Sequence, residues 1–528
     1  MESTGRTGAA TAGMPNIHTD IDSDGVLVAT IDMPGRSMNV FSAGLMDSLE
    51  QLLDEVQSNA AIKAVVLCSG KSAFLAGADL EMVRMFTERA RTDSPEDLHR
   101  LCGRLGRLFR RLETNGKPFV AAIHGLALGG GLEVALACHE RVAAEKTEVG
   151  LPEIKLGLLP GAGGTQRLPR LIGQFAALKL MLKGDPLPAA KAASLGIIDA
   201  VVPPDRLLEH AKTRALARAA GRAAKAPWDS EHWLAPVHPN TEENGQGDLE
   251  RVFDELGLGE DDRRRYPASG AIMECVVGGW HKSMDDATSW EMDCFVRLIR
   301  DPTAGNMIRS LFLDRQRATK LIPPATPDQP ARAAVQGVGA EAVRALLRAS
   351  RVEIVEANSP GCVWIATDDT ALPPGTSPES TVHWYQGAGP RDSSGGGPRG
   401  SEEAPHLPAV WVSDLTQYGR AVEVITGADG QGKQAGLQIA RWLRATPVVS
   451  QGASFLGALA AARTSSGQLP KDEKLLAIAV AAAKARARDA DLDTGIADSA
   501  AVIAGLFPAY AGGPFTYLRQ HGRNADAD

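Results

Sequence analysis

The chain has 528 residues, 44% of them apolar, with six cysteines and a formal net charge of −8 at pH 7. Because a single hydrophobic core rarely exceeds about 250–300 residues, this length predicts more than one domain. The negative charge argues against a nucleic-acid-binding surface, and no run reaches the roughly 18 apolar residues of a membrane span. The cysteines are scattered without a Cys-x-x-Cys pair, which argues against a disulfide framework and a zinc site and predicts a cytoplasmic protein.

The N-terminal third alternates between predicted strands and helices. Met1–Pro15 is rich in Gly, Thr and Ala without an apolar segment, so we predict a flexible tail rather than a signal peptide. One helix is predicted after Ser42, which can cap it, and another after Ser94, running to about Thr114. Alternating or continuous apolar residues predict strands at Gly25–Asp32, Ala64–Cys68 and Phe119–Ile123.

Three consecutive glycines, Gly129 to Gly131, are predicted to leave a strand and open a helix. Without a Cβ in the way, a ligand can approach this backbone closely. The first amides of a helix have no intrahelical acceptor and the helix dipole adds partial positive charge there, so the segment is suited to stabilise an oxyanion. Glu133 follows in the first turn of the helix, and Glu153 lies on a loop marked by Gly150 and Pro152.

Glu133 and Glu153 are candidates for acid–base chemistry. Taken alone, the simpler interpretation is two surface carboxylates, one at a helix start and one at a turn. The glycine run and the loop Ala76–Asp79 favour a catalytic pair, because two carboxylates can divide the roles of acid and base when their environments separate their pKa values. His124 and His139 flank this region but match no ligand spacing, and we interpret both as structural.

Three segments together, Lys71–Asp79, Gly125–Glu133 and Gly150–Gly164, resemble the enoyl-CoA hydratase (crotonase) family. The resemblance is close over about the first third of the chain. It is looser toward the C-terminus, where the layout resembles the bacterial fatty-acid oxidation multienzyme alpha subunit. The implied fold class is α/β: a crotonase-type spiral of ββα repeats, followed by a helical linker and a degenerate Rossmann-like and helical C-terminal region. The expected domains are a flexible tail (1–15), a crotonase-fold hydratase domain (16–205), a helical linker (206–327), a degenerate dinucleotide-binding-like region (328–430, with 371–405 disordered) and a helical dehydrogenase-C-terminal-like domain (431–528).

The resemblance implies a role for each part of the candidate site. Glu133 would help activate the water molecule that attacks C3 of a 2-enoyl thioester, and Glu153 would deliver a proton to C2. The backbone N–H groups of Ala78 and Gly130 would form the oxyanion hole for the thioester oxygen.

The same resemblance implies residues that contact the rest of the substrate. The loop Ala76–Leu80 is expected to edge the adenine of coenzyme A, and the N–H of Gly161 to hold the water molecule. Asp79 has an alternative role as the N-cap of the next helix, which we favour, and an ordinary turn glycine explains Gly161 nearly as well. The candidates for substrate and coenzyme A binding are therefore Ala76, Gly77, Asp79, Leu80 and Gly161.

The second half resembles parts of a 3-hydroxyacyl-CoA dehydrogenase without its catalytic elements. Gly337-x-Gly339-x-x-Ala342 is only a weak dinucleotide-binding pattern. Val422–Gly427 matches a dehydrogenase segment, yet residues 412–420 before it contain neither the family's catalytic His nor its Asn-Pro, so Glu423 has no histidine to orient. The family's Pro-Gly-Phe-x-x-Asn-Arg element is replaced by Gln451–Gly457. We therefore expect no NAD binding and no dehydrogenase activity.

The sequence thus predicts an enoyl-CoA hydratase of fatty-acid β-oxidation or a related acyl-CoA degradation, with an acyl-CoA substrate and neither a cofactor nor a metal. One alternative is a Δ3-Δ2-enoyl-CoA isomerase, which shuttles one proton and needs only one carboxylate. Another is a bifunctional hydratase and 3-hydroxyacyl-CoA dehydrogenase. The C-terminal half has a non-enzymatic alternative as a docking or oligomerisation module. We expect a homo-oligomer with a thiolase as a candidate partner, and neither nucleic acid nor membrane as partners.

Overall fold

The structure, a computed structural model, divides into two compact units, residues 1–304 and 305–528. The finer domain boundaries given above remain predictions. None of the helices in the described ranges is long and apolar enough to cross a membrane. The described residues are 14–221, 225–230, 233, 246–324, 331–337, 339–356, 359, 362–367, 381–386, 408–426, 430–451 and 454–523, so the predicted tail falls outside them up to residue 13.

Strands of the first unit form two sheets. The larger has the order β1-β2-β3-β5-β7-β10 and the smaller the order β4-β6-β8-β9. Neighbouring strands are parallel except for the pairs β1–β2 and β8–β9. The strands are β1 (Ile17–Ile21), β2 (Val26–Ile31), β3 (Ala64–Ser69), β4 (Leu75–Ala76), β5 (Phe119–Ile123), β6 (Leu126–Leu128), β7 (Glu140–Ala144), β8 (Glu148–Gly150), β9 (Leu187–Pro188) and β10 (Ala200–Val202).

The described part of the first unit also contains helices, some packed on the sheets and others on neighbouring helices. Ser42 caps the first of them, as predicted, by accepting a hydrogen bond from the Leu45 amide. The helices are α1 (Ala43–Ser58), α2 (Leu80–Arg89), α3 (Pro95–Cys102), α4 (Arg104–Glu113), α5 (Gly130–Ala137), α6 (Gly164–Ile172), α7 (Gln174–Lys183), α8 (Ala189–Ser194), α9 (Leu207–Ala220), α10 (Gln246–Glu255), α11 (Glu260–Arg265), α12 (Ala268–Gly279) and α13 (Met284–Arg300), and α14 (Pro302–Ile308) spans the division between the units.

The central strands are buried on both faces, which explains their continuous apolar sequences. Every residue of β5 and of β7 is buried, and α9 packs against one face of the sheet through Leu207, Ala211 and Ala215. The three strands predicted in this region are confirmed. The single helix predicted from Ser94 to about Thr114 is wrong in one respect, because it is interrupted at Gly103, a residue with low helix propensity.

The described residues of the second unit form a seven-stranded sheet in the order β12-β11-β13-β14-β15-β16-β17, parallel except for the pair β15–β16. A π-helical turn at Arg309–Leu313 leads into α15 (Asp314–Thr319). The strands are β11 (Arg332–Gln336), β12 (Glu353–Ile354), β13 (Val363–Ala366), β14 (Thr381–Gln386), β15 (Ala409–Val412), β16 (Ala421–Thr426) and β17 (Thr446–Gln451). The helices that follow α15 are α16 (Ala340–Ala349), α17 (Lys433–Trp442), α18 (Phe455–Ser465), α19 (Lys471–Arg488), α20 (Thr494–Ile503) and α21 (Pro514–Gln520).

Part of the predicted disordered stretch is ordered. Thr381–Gln386 is β14, an inner strand of the seven-stranded sheet, so the prediction of disorder over 371–405 is wrong for these residues. Val382 and Trp384 supply the buried apolar side chains that the Gly- and Pro-rich composition of the surrounding sequence had obscured. The rest of that stretch lies outside the described residues. The Rossmann assignment of this half remains a prediction.

Candidate active site

The glycine run connects β6 to α5, as predicted. Gly129 has φ 54° and ψ −125°, a conformation that favours glycine, and its amide donates to the Gly150 carbonyl at 2.8 Å. A Cβ on Gly131 would lie 2.2 Å from the Leu75 carbonyl oxygen, so only glycine fits there. The glycine run is therefore in close contact with both β4 and β8, which fixes the position of the first turn of α5.

Glu133 lies in the first turn of α5 with 3% of its surface exposed. Its Oε1 accepts hydrogen bonds from the amides of Ala162, at 2.8 Å, and Gly164, at 2.9 Å. No group among the described residues donates to its Oε2, which leaves that oxygen available to a water molecule. Burial raises the pKa of Glu133, while the two amides and the charge of Arg167 oppose the rise.

Glu153 begins a 3₁₀ turn, Glu153–Leu156, directly after β8. Its carboxyl group lies against the glycine run, because a Cβ on Gly129 would be 2.7 Å from Glu153 Oε1. Its Oε2 is enclosed and has no hydrogen-bond partner within the described part of the chain. Burial and then the charge of Glu133 raise the pKa of Glu153 well above its usual value. The two predicted carboxyl groups are thus brought to the same buried place with unequal environments.

The two predicted oxyanion-hole amides occupy matching positions. β4 and β6 are parallel with Ala76 opposite Leu128, so Ala78 and Gly130 each follow their paired strand by the same distance along the chain. Phe41 fixes the first loop, since its amide donates to Gly77 O and its carbonyl accepts from Asp79 N, both at 2.8 Å. Within the described residues, no acceptor engages the N–H of Ala78 or of Gly130. Both N–H groups are therefore available to an oxygen of a ligand.

Asp79 is the N-cap of α2, as favoured above. Its Oδ1 accepts from the Glu81 amide at 3.0 Å, and its Oδ2 pairs with Arg36 at 2.6 Å. The amide of Ala76 is also occupied, because it donates to the Asn39 carbonyl at 2.9 Å. Contact of Ala76, Gly77, Asp79 and Leu80 with coenzyme A remains a prediction.

The remaining predicted positions have identifiable neighbours. A Cβ on Gly161 would lie 2.9 Å from Phe295 Cδ2, so close packing alone requires glycine there, and its contact with water remains a prediction. His124 Nε2 is 2.7 Å from Lys71 O, and His139 Nδ1 accepts from the Phe119 amide at 3.0 Å. These backbone hydrogen bonds agree with the structural interpretation of both histidines.

Sequence reasoning missed a third buried carboxylate, Glu291 on α13, which has 1% of its surface exposed. Its Oε1 accepts from the Gly163 amide at 2.6 Å, and its Oε2 accepts from the Thr165 amide at 3.1 Å and from the Thr165 hydroxyl. Burial and the charge of Glu133 raise the pKa of Glu291 to about 8. A signal was present, because Glu291 interrupts the apolar face that Ala287, Cys294 and Leu298 give to this helix.

Sequence reasoning also missed the buried ion pair of Arg167 and Glu113. Arg167 donates to both carboxylate oxygens, at 3.0 and 3.2 Å, and its Nη1 donates to the Ala162 carbonyl at 3.0 Å. Because both side chains are almost fully buried, the pair is a rigid cross-link from α4 to the loop that holds Glu133. In the ranges that the structure describes, no group of three or more His, Cys, Asp or Glu side chains has the arrangement of a metal site.

Comparison with known proteins agrees with this architecture. Residues 22–245 match the family model described as enoyl-CoA hydratase/isomerase. These residues form a domain of that family, also called the crotonase family, so the predicted crotonase-type α/β domain is confirmed.

The similar curated proteins are named as fatty acid oxidation complex subunit alpha. The chain is 38% identical over 294 residues to that protein from Shewanella amazonensis, with 55% of this chain and 40% of the relative covered. It is 39% identical over 295 residues to the one from Shewanella loihica, again with 55% and 40% covered. The match thus spans about two fifths of the length of these relatives. Among solved structures, an enoyl-CoA hydratase from Bacillus anthracis is 27% identical, with 58% of this chain and 96% of that chain covered and a TM-score of 0.35.

Proposed function

We propose that the crotonase-family domain adds water to 2-enoyl-CoA thioesters and gives 3-hydroxyacyl-CoA, as in fatty-acid β-oxidation or a related acyl-CoA degradation. The observation that carries this proposal is the arrangement of Glu133 and Glu153. Both carboxyl groups are buried beside the glycine run, and each has an oxygen that no described group engages. Water addition needs this arrangement, because one group must take a proton while another gives one.

The unequal environments of the two carboxyl groups support a division of roles. Glu133 accepts two amide hydrogen bonds and lies near the charge of Arg167, which favours its ionised form as the base. Burial and the charge of Glu133 raise the pKa of Glu153, which favours its protonated form and suits the acid that delivers a proton to C2. The water activated by Glu133 adds to C3 on the same face of the double bond as the proton that Glu153 delivers to C2, so the addition is syn.

The thioester oxygen gains negative charge as water adds to C3. Two N–H groups aimed at this oxygen would stabilise the enolate, and those of Ala78 and Gly130 have no other described acceptor. Loss of one such donor typically raises the barrier by about 3–4 kcal/mol. Side-chain replacement of Ala78 is a weak test, because the contact would be made by the main chain.

Hydration of crotonyl-CoA, followed as loss of the absorbance of the conjugated thioester, tests this function. Glu133→Gln and Glu153→Gln should each reduce kcat by at least about 100-fold, since each removes one proton-transfer group. Glu148→Gln is a matched control, because Glu148 is an exposed residue of β8 in the same unit. If both active-site variants stay within threefold of the wild type, the two-carboxylate mechanism is wrong.

The same variants separate hydration from isomerisation. A Δ3-Δ2-enoyl-CoA isomerase moves one proton with one carboxylate, so an isomerase would tolerate one of the two Glu→Gln changes. Measuring conversion of a 3-enoyl-CoA alongside crotonyl-CoA hydration shows which reaction depends on both groups.

We also propose that the second half has no dehydrogenase activity. Glu423, which the dehydrogenase family pairs with a catalytic histidine, accepts four hydrogen bonds within its own unit instead. A coupled assay with NAD and 3-hydroxybutyryl-CoA should therefore give no NADH.

A docking or oligomerisation role of the second half, including contact with a thiolase, predicts that a chain ending near Pro327 assembles differently in sedimentation. Unchanged assembly and thiolase binding would rule that role out.

A further inference from the structure

Two carboxylates bind the 162–165 loop, which consists of a turn at residues 162–163 and the first two residues of α6. Its four successive amides donate to the two carboxylates in alternation. The first and third donate to Glu133, and the second and fourth donate to Glu291. In chain order the donors are Ala162 (2.8 Å), Gly163 (2.6 Å), Gly164 (2.9 Å) and Thr165 (3.1 Å).

The second carboxylate comes from outside the family-matched segment, which ends at residue 245. Helix α13 brings two residues one turn apart to the loop, since positions i and i+4 share a helix face. Glu291 binds the amides of Gly163 and Thr165, and Phe295 packs against Gly161. The 162–165 loop is thus bound by one carboxylate from the family-matched segment, Glu133, and by another from a helix after that segment, Glu291.

We propose that Glu291 is a positioning residue for the hydration reaction: by holding alternate amides of residues 162–165, it fixes the loop that directs Glu133 toward the substrate. This inference rests on the proposed function. Because both hydrogen bonds of Glu133 fall on Oε1, the position of the loop decides where Oε2 points. Small displacements of a catalytic group have large effects on rate, so a residue that never touches the substrate can still control the reaction.

The charge of Glu291 acts on the same site. Charged or titratable groups face it from each neighbouring element: Glu133 on α5, Glu153 after β8, Arg167 and Arg170 on α6, and Cys275 on α12. On the exposed side of α13, His99 of α3 contacts Ser289 and Asp293 instead. Burial and the charge of Glu133 raise the pKa of Glu153, and the charge of Glu291 adds to that rise. Ionised Glu291 therefore helps Glu153 to keep its proton at alkaline pH, where the acid of the reaction would otherwise be lost.

The test is the pH profile of kcat/KM for crotonyl-CoA in the Glu291→Gln variant. Glutamine keeps the size of the side chain but removes the charge and replaces one acceptor by a donor. We expect kcat to fall by about tenfold with little change in KM, since the loop no longer holds Glu133 in place. The alkaline limb should also move to lower pH by about half a unit or more, because the like charge that favours protonated Glu153 is gone.

Asp498→Asn is the matched control. Asp498 is a buried carboxylate that, like Glu291, accepts hydrogen bonds from two amides and a threonine hydroxyl at the start of a helix, here α21. This variant should lose stability without any change in the pH profile. Thr165→Val is a milder second variant, which removes one donor to Glu291 and should shift the alkaline limb in the same direction by less.

The outcomes separate the two proposals. If Glu291→Gln matches the wild type in kcat and in the alkaline limb, or if Asp498→Asn shifts the limb equally, Glu291 is not a positioning residue. If the wild type does not hydrate crotonyl-CoA, the proposed function fails, and infrared pH titration of the carboxyl C=O band then decides the role of Glu291. Glu291→Gln should remove a band that disappears near the pKa of about 8 and should shift the titration of the remaining buried carboxyl groups. If the titration of the remaining buried carboxyl groups is not shifted in Glu291→Gln, Glu291 does not influence their protonation, and the proposal is wrong.

Discussion

The two units bury carboxylates in different ways. In the second unit, Glu423 accepts hydrogen bonds from the hydroxyls of Ser450 (2.6 Å) and Ser454 (2.7 Å) and from two amides at the start of α18. In the first unit, Glu153 Oε2 is equally enclosed, yet no described group donates to it. A buried oxygen without a partner costs stability, whereas a saturated one supports the helix that it caps. Completeness of hydrogen bonding, rather than burial, thus distinguishes the proposed catalytic carboxyl group of Glu153 from that of Glu423.

Replacing one carboxylate from each unit should give opposite results. Glu153→Gln should reduce crotonyl-CoA hydration by about 10²–10⁴-fold with little loss of stability, because it removes a proton donor that has few hydrogen bonds to lose. Glu423→Gln should leave hydration unchanged but destabilise the second unit by about 2 kcal/mol, since hydrogen bonds to a charged group are lost. Hydration rates and thermal unfolding of the full chain measure both effects. Equal losses of stability in the two variants would show that hydrogen bonding does not distinguish the two carboxyl groups.

Alanine substitutions of two glycines with positive φ, one in each unit, should also differ in their effect on the hydration rate. A Cβ on Gly129 (φ 54°) would lie 2.7 Å from Glu153 Oε1, whereas a Cβ on Gly339 (φ 80°) would meet no atom of the described residues within 4 Å. Gly129→Ala should therefore displace the carboxyl group and lower kcat by about tenfold or more. Gly339→Ala should cost about 1 kcal/mol of strain and leave the rate unchanged. A Gly129→Ala enzyme with the wild-type rate would show that the glycine run does not position Glu153.

Asp498 should make a smaller contribution, which depends on pH, to the stability of the second unit. Burial raises its pKa from 3.8 to about 7, although Thr516 and the Phe515 amide oppose the rise. The folded chain then binds a proton that the unfolded chain releases, so this contribution to stability is full below about pH 4 and is lost as pH rises through about 7. In Asp498→Asn, the protection of the Phe515 and Thr516 amides in hydrogen exchange should depend less on pH across this window. An unchanged slope would mean that Asp498 titrates normally.

The sequence predicted the parts of the site that depend on local chemistry. The glycine run could be recognised because only glycine adopts the backbone of Gly129 and fits under Leu75 at Gly131, and the cap at Asp79 follows from the same local rules. Glu133 could be recognised because it follows that run in the first turn of a helix.

Residues that reach the site through tertiary packing could not be predicted in the same way. Glu291 belongs to a helix far along the chain, and its partners are backbone amides, which every sequence has. The pairing of Arg167 with Glu113 depends on how α4 and α6 are arranged around α5, which contacts both, and no local pattern encodes this. The strand Thr381–Gln386 was hidden by its Gly- and Pro-rich surroundings, although Val382 and Trp384 carried the signal of a buried strand.

We expect the second unit to give no response to a dinucleotide. Gly339 is the N-cap of α16, a position where a nucleotide-binding helix also has glycine, but Glu341 lies in the first turn and pairs with Arg344 (3.2 Å) and Arg348 (3.0 Å). An acidic side chain there opposes a pyrophosphate, and Arg344 is further occupied by the Val335 carbonyl at 2.6 Å. Titration of the full chain with NADH should therefore leave tryptophan fluorescence unchanged, apart from absorption by the ligand, up to about 1 mM. The control is Glu341→Gln: if it binds NADH where the wild type does not, the carboxylate is the barrier. Binding of NADH by the wild type with a Kd below about 100 μM would instead show that the second unit has a dinucleotide site. The two units would then differ in catalytic activity but not in the ability to bind a ligand.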